Sequence, residues 1–120
     1  MKQTNTLPLS GISVLEFGHT VMGPTCGLIL ADMGAEVIKI EKAPQGDETR
    51  RLKGFGAGFF VYLNRNKKSL AVDLKSPEGL EVIKRLVKYA DVLVENFGPG
   101  TIDRLGLGYE TCSELNPKLI

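Results

Sequence analysis

A chain of 120 residues, 42% hydrophobic and 24% charged, has enough apolar material for one globular core and is too well mixed for disorder. Its formal net charge of +1, with no basic tract interleaved by aromatics, excludes a general nucleic-acid-binding role, and no apolar run is long enough to cross a bilayer. Residues 1–10 lack the apolar core of a signal peptide, so a cytoplasmic chain is expected.

After this N-terminal tail over 1–10, Ile12, Val14, Leu15 and Phe17 predict a strand, broken by Gly18-His19-Thr20-Val21-Met22-Gly23 before Pro24, a residue suited to the first turn of a helix. Cys26, Ile29, Leu30 and Met33 recur at i, i+3, i+4 and i+7, which predicts a helix buried on that stripe, with Gly34 as its left-handed cap. Val37, Ile38 and Ile40 predict a second strand, completing a right-handed βαβ unit with parallel strands. From Ala43 to Lys68 the texture changes to glycines and charges without either period, which predicts a long functional loop. Within it Asp47 is expected to pair with Arg50, while Arg50-Arg51 with Lys53, and Lys67-Lys68, are compact enough to attract phosphate.

Ser69 to Asp73 alternates as a strand. Ser76 is a good N-cap with Pro77 at the first helical position, and Val82, Ile83, Leu86, Val87 and Ala90 form one apolar stripe opposite Glu81, Lys84, Arg85 and Lys88. A buried strand is expected over Val92–Val94, then a short helix capped by Thr101 and ended by Gly106, and another over Tyr109–Leu115 stopped by Asn116-Pro117. Lys118-Leu119-Ile120 reads as the opening of a strand that these residues do not finish. Cys26 and Cys112, far apart and with a single histidine in the chain, predict neither a disulfide scaffold nor a metal site, but two buried small hydrophobes.

A parallel sheet gathers its strand-end loops on one edge, so His19–Gly23, Glu41–Gly46, Asp73–Lys75 and Asn96–Gly100 are expected to share a crevice. The last carries the strongest signal: Asn96 donates and accepts, Phe97 offers a flat apolar face, and Gly98 and Gly100 let backbone approach a ligand around Pro99. Lys42, Lys75 and Arg104 supply separated cations suited to a ligand with several phosphates. A dinucleotide-binding unit competes with this reading, since Glu41 stands where such a fold places its ribose-binding acid; against it, the first loop lacks G-x-G-x-x-G and carries bulky Thr20, Val21 and Met22. His19 has no serine or cysteine partner and reads as structural, and no nucleophile constellation stands out.

The segments Leu9 to Phe17, Gly23-Pro24, Gly34 to Glu41, Gly46 to Arg50, Asn64 to Ser69 and Val94 to Gly100 together resemble the N-terminal part of class III CoA-transferases, the group that includes formyl-CoA:oxalate and carnitine CoA-transferases. The resemblance implies a Rossmann-like α/β fold over 11–120, a parallel sheet with flanking helices, belonging to enzymes whose two subunits interlock as rings. It also implies transfer of CoA from an acyl-CoA to a free carboxylic acid through an aspartyl-CoA thioester, with CoA as substrate, no permanently bound cofactor, and the nucleophilic aspartate beyond Ile120. By the same resemblance Val21 and Met22, Lys42 (where the family often has arginine), Val72, Asp73, Leu74 and Lys75, and Asn96, Phe97, Gly98 and Arg104 contact CoA. Two readings stay beside it: a non-catalytic fragment that binds CoA or a related chain, and a nicotinamide-dinucleotide module.

Overall fold

The computed structural model describes residues 6–120. Four parallel strands form one sheet in the order β3-β2-β1-β4, with β1 at Ser13–Glu16, β2 at Glu36–Lys42, β3 at Lys67–Val72 and β4 at Val92–Val94. Because successive side chains of a strand face opposite ways, Val14 and Val37 pack with Ala31 and Ala35 on one face, while Leu15, Ile40 and Val72 pack with Ile83, Val87 and Cys112 on the other. Helix α1 (Met22–Asp32) covers the first face; α3 (Pro77–Val87) and α5 (Tyr109–Leu115) cover the second. Residues 6–10 join the first face: Leu9 packs there, and its N–H donates to the Met33 carbonyl at 2.9 Å.

Helix α3 follows its sequence signals. The Ser76 hydroxyl accepts from the Gly79 N–H at 3.0 Å, and Ile83 and Val87 are fully buried. Helix α1 departs from its own. Of the expected stripe Cys26, Ile29 and Met33 are exposed and only Leu30 packs, half-buried, against the core, while the buried side is Gly23, Pro24, Gly27, Leu28 and Ala31. The physical reason is close approach: a Cβ on Gly23 would fall 2.5 Å from the Gly18 Cα, and one on Gly27 would collide with the Glu16 carboxylate. Small residues therefore mark the buried face, and Cys26 is a surface thiol, whereas Cys112 is buried.

Further expectations are corrected. The Ala43–Lys68 stretch is not structureless: it holds 3₁₀ turns at Glu48–Arg51 and Gly54–Gly58 and a short helix α2 at Phe59–Leu63, and β3 begins at Lys67 rather than Ser69. Strand β4 is half-buried at the sheet edge: it pairs with β1 on its inner side, and on its outer side Ile120 donates to Asp91 and accepts from Leu93. No strand forms over Lys118–Ile120, where Lys118 lies in a turn and only Ile120 makes these bonds. Thr101 is the first residue of α4 (Thr101–Arg104) and not its cap; left-handed Gly100, φ 72°, holds that position, and the Thr101 hydroxyl accepts from Arg104 instead.

Candidate functional site

The chain steps outward from β1 to β2 to β3, then crosses back to lay β4 beside β1, so the loops after β1 and β4 diverge at the place where open α/β sheets bind ligands. A cleft of about 530 Å³ opens there, along the C-terminal ends of the strands. Its buried and half-buried apolar lining is Phe17, Ile40, Val72, Leu74, Phe97 and Leu105; exposed Lys42, Glu48, Asp73 and Lys75 add charge at its mouth. Neither lysine has an ion-pair partner among the described residues. The arrangement offers an apolar slot for a flat group beside free ammonium groups.

Lys42, Val72, Asp73, Leu74, Lys75 and Phe97 are thus brought together in one cleft. Val21 and Met22 follow its wall residue Thr20 at the start of α1, and Gly98 and Arg104 lie on the segment leading to Leu105 without lining the cavity. Asn96 sits behind the wall: its Oδ1 accepts from the His19 N–H at 2.9 Å and its Nδ2 donates to the His19 carbonyl at 3.1 Å. The amide thereby clamps both backbone groups of one residue in the first loop, next to Thr20 at φ 62°. The Phe97 ring lies 5.8 Å from the imidazole of His19, which is exposed and itself lines the cleft.

Beneath this wall lies a charged layer that sequence reasoning missed. Lys39, 1% exposed, reaches the Gly18 carbonyl at 2.6 Å, Glu16 Oε1 at 3.1 Å and Asp47 Oδ2 at 3.0 Å. Lys67 meets Glu16 Oε2 at 2.5 Å and the Pro24 carbonyl at 2.7 Å. Burial pulls the Lys67 ammonium below its ordinary pKa despite Glu16. Burial pushes the Asp47 carboxyl up, but hydrogen bonds from Thr49 and Lys39 outweigh it and hold it below the usual range. The expected Asp47–Arg50 side-chain pair does not form, because each has a closer partner: Asp47 accepts from Thr49 and meets Lys39, while Arg50 grips Glu41 in a fork with both contacts at 2.7 Å.

Glu41 also accepts from the Asp47 N–H and the Ser69 hydroxyl, so each carboxylate oxygen takes two donors. Burial alone would raise its pKa, but these bonds, Arg50 first, lower it from 4.5 to about 2. The acid that a dinucleotide-binding reading assigns to a ribose is fully occupied. Alternation in Val37-Ile38-Lys39-Ile40-Glu41 was the available signal for the charged layer: in a parallel strand covered on both faces, a charged side means buried ion pairs.

The model of CoA-transferase family III matches residues 9–120. The chain belongs to this family. It is 46% identical over 119 residues to a formyl-CoA:oxalate CoA-transferase of Rhodopseudomonas palustris (strain BisB18), an alignment that covers 96% of this chain and 28% of that protein. Among solved structures it is similar to Rv3272 of Mycobacterium tuberculosis in an orthorhombic form, with TM-score 0.90 and 44% identity over 95% of this chain and 32% of that one. A CAIB/BAIF family protein from Brucella suis superposes with TM-score 0.87 and 41% identity, over 96% of this chain and 32% of that one. The family III sequence in hand therefore spans about 28% of the length of the curated relative. Its α/β sheet with flanking helices is the fold of these neighbours.

Proposed function

We propose that this chain forms the CoA-binding portion of a CoA-transferase that moves CoA from an acyl-CoA to a free carboxylic acid. The observation that carries the reading is the strand-end cleft, in which an apolar lining of Phe17, Ile40, Val72 and Phe97 adjoins the unpaired Lys42 and Lys75. A CoA molecule presents a flat heterocycle and several phosphates, which such a lining and such ammonium groups complement. Arg104 adds a planar fork near the same edge, and Gly98, where an added Cβ would meet nothing within 4 Å, leaves its backbone open to approach.

The transfer itself needs a carboxylate nucleophile. In the proposed sequence an aspartate attacks the thioester carbonyl and expels the CoA thiolate, leaving a mixed anhydride. The thiolate then attacks the aspartyl carbonyl and releases the donor acid. The acceptor carboxylate displaces the thiolate from this aspartyl thioester to form a second anhydride, whose acyl carbon the thiolate attacks to give the new acyl-CoA and the free aspartate. Of the aspartates at the cleft, Asp47 is held by Thr49 and Lys39, and Asp73 accepts from the Lys75 N–H, so both are engaged within the fold. We assign the nucleophile to a segment outside these 120 residues, with a second copy of the chain as partner in the whole protein, and expect these residues alone to bind CoA without turnover.

Isothermal titration of the chain with CoA, with NAD as control, tests the reading on wild type and on Lys75→Ala and Arg104→Ala. Binding of CoA but not NAD, weakened by both substitutions, is the expected result. A folded chain that binds NAD or neither ligand overturns it.

A further inference from the structure

The CoA reading leaves unused a set of fully buried charges directly under the cleft. Parallel pairing sets Glu16 on β1 opposite Lys39 on β2, both on the face covered by α1. From there the Lys39 ammonium touches two loops at once: it donates to the Gly18 carbonyl in the loop after β1 and meets the Asp47 carboxylate in the loop after β2. Those loops wall the cleft through His19 and Thr20 on one side and Gly46 to Thr49 on the other. Asp47 is fastened further, its N–H donating to Glu41 at 2.8 Å and its Oδ1 accepting from the Thr49 N–H and hydroxyl. No other side chain among the described residues bonds from the first loop to the second. A buried ion pair adds little net stability compared with a well-packed apolar replacement, so what this one contributes lies in the loops it joins.

We propose that Lys39 is a positioning residue of the ligand cleft: its ammonium sets the spacing between the Gly18 and Asp47 loops, so that the ligand enters a preformed slot. The proposal rests on the CoA reading of the cleft for its ligand. Preorganisation of this kind lowers the ordering that binding would otherwise demand, and its loss appears as weaker affinity in a protein that still folds.

The test is the charge-balanced double variant Lys39→Met with Asp47→Asn. It removes one charge of each sign, leaves Glu16 paired with Lys67, and keeps a side-chain oxygen for Thr49. Three quantities are read on wild type and variant: Tm, CoA affinity by titration, and amide hydrogen exchange. The expected result is a Tm within about 5 °C of wild type, CoA affinity down by roughly tenfold or more, and faster exchange confined to residues 19–22 and 46–51. A lower Tm with unchanged affinity of the folded protein would make the cluster purely structural and overturn the proposal, as would unchanged affinity with unchanged exchange. If wild type binds no CoA, the functional reading falls separately and exchange decides: acceleration confined to the two loops keeps the tie, while uniform or absent acceleration removes it. If the double variant fails to fold, Asp47→Asn alone cuts the link to the second loop while retaining the Lys39 bond to Gly18, and the same readouts apply.

Discussion

Helices α1 and α3 have the same length, 11 residues, and cover opposite faces of one sheet, yet they are held by opposite means. Helix α3 inserts Ile83 and Val87 into an apolar layer, so hydrophobic periodicity names its buried side. Helix α1 rests partly on the charged layer of Glu16, Lys39 and Lys67, and it gets close enough through glycines. There Ile29 and Met33 point outward while Leu28 is buried beside the glycines, and periodicity names mostly the wrong side. A helix that packs through small residues over ion pairs is invisible to a search for apolar stripes.

This contrast can be broken from several sides. Gly27→Ala drives a methyl into the Glu16 carboxylate and to within 3.1 Å of the Lys67 ammonium. Disrupting that pair is expected to cost about 3–5 kcal/mol, a large share of the roughly 5–15 kcal/mol of an ordinary domain, read as a lowered urea midpoint. On the other face Ile83→Ala, at a site with 0% exposure, is expected to cost about 2–4 kcal/mol by cavity formation, with urea unfolding as the check. If the glycine proves milder than the isoleucine, the charged layer is softer than its geometry indicates.

Acid probes the charged layer without mutation. Since Glu41 is lowered from 4.5 to about 2 in the fold, its stabilising contribution is complete above pH 4.5 and is lost as pH falls toward 2. The expected loss is about 2–3 kcal/mol, discounted because the Arg50 side chain is partly exposed, and Glu41→Gln should flatten that part of the stability profile. The smallest effect belongs to the outward stripe of α1: Ile29→Ser, at 54% exposure, is expected to change stability by less than about 0.5 kcal/mol in this chain. A large loss there would restore the apolar-stripe reading of α1.

What the sequence made legible follows the same divide. Where elements are built from local chemistry, as with the Ser76 cap, Pro77, left-handed Gly34 and Gly106, and the βαβ order, the expectations match the fold. The gathering of Lys42, Val72 to Lys75 and Phe97 at one edge was also legible, because parallel topology alone dictates it. The partners of Asp47, Arg50 and Asn96 were not. Each is chosen by three-dimensional proximity: Arg50 turns back nine positions to Glu41, and Asn96 crosses 77 positions to His19, distances that no local period encodes.

The strand-end cleft is the claim on which the functional reading stands, and its most direct test is a residue-by-residue map of backbone amide shifts on titration with CoA. The expected map has its largest changes at Thr20, Lys42, Asp73 to Lys75 and Phe97, all lining one cavity. Changes centred instead on the smaller hollow beside Tyr109, Cys112 and Leu119, or none at saturating CoA, would contradict it.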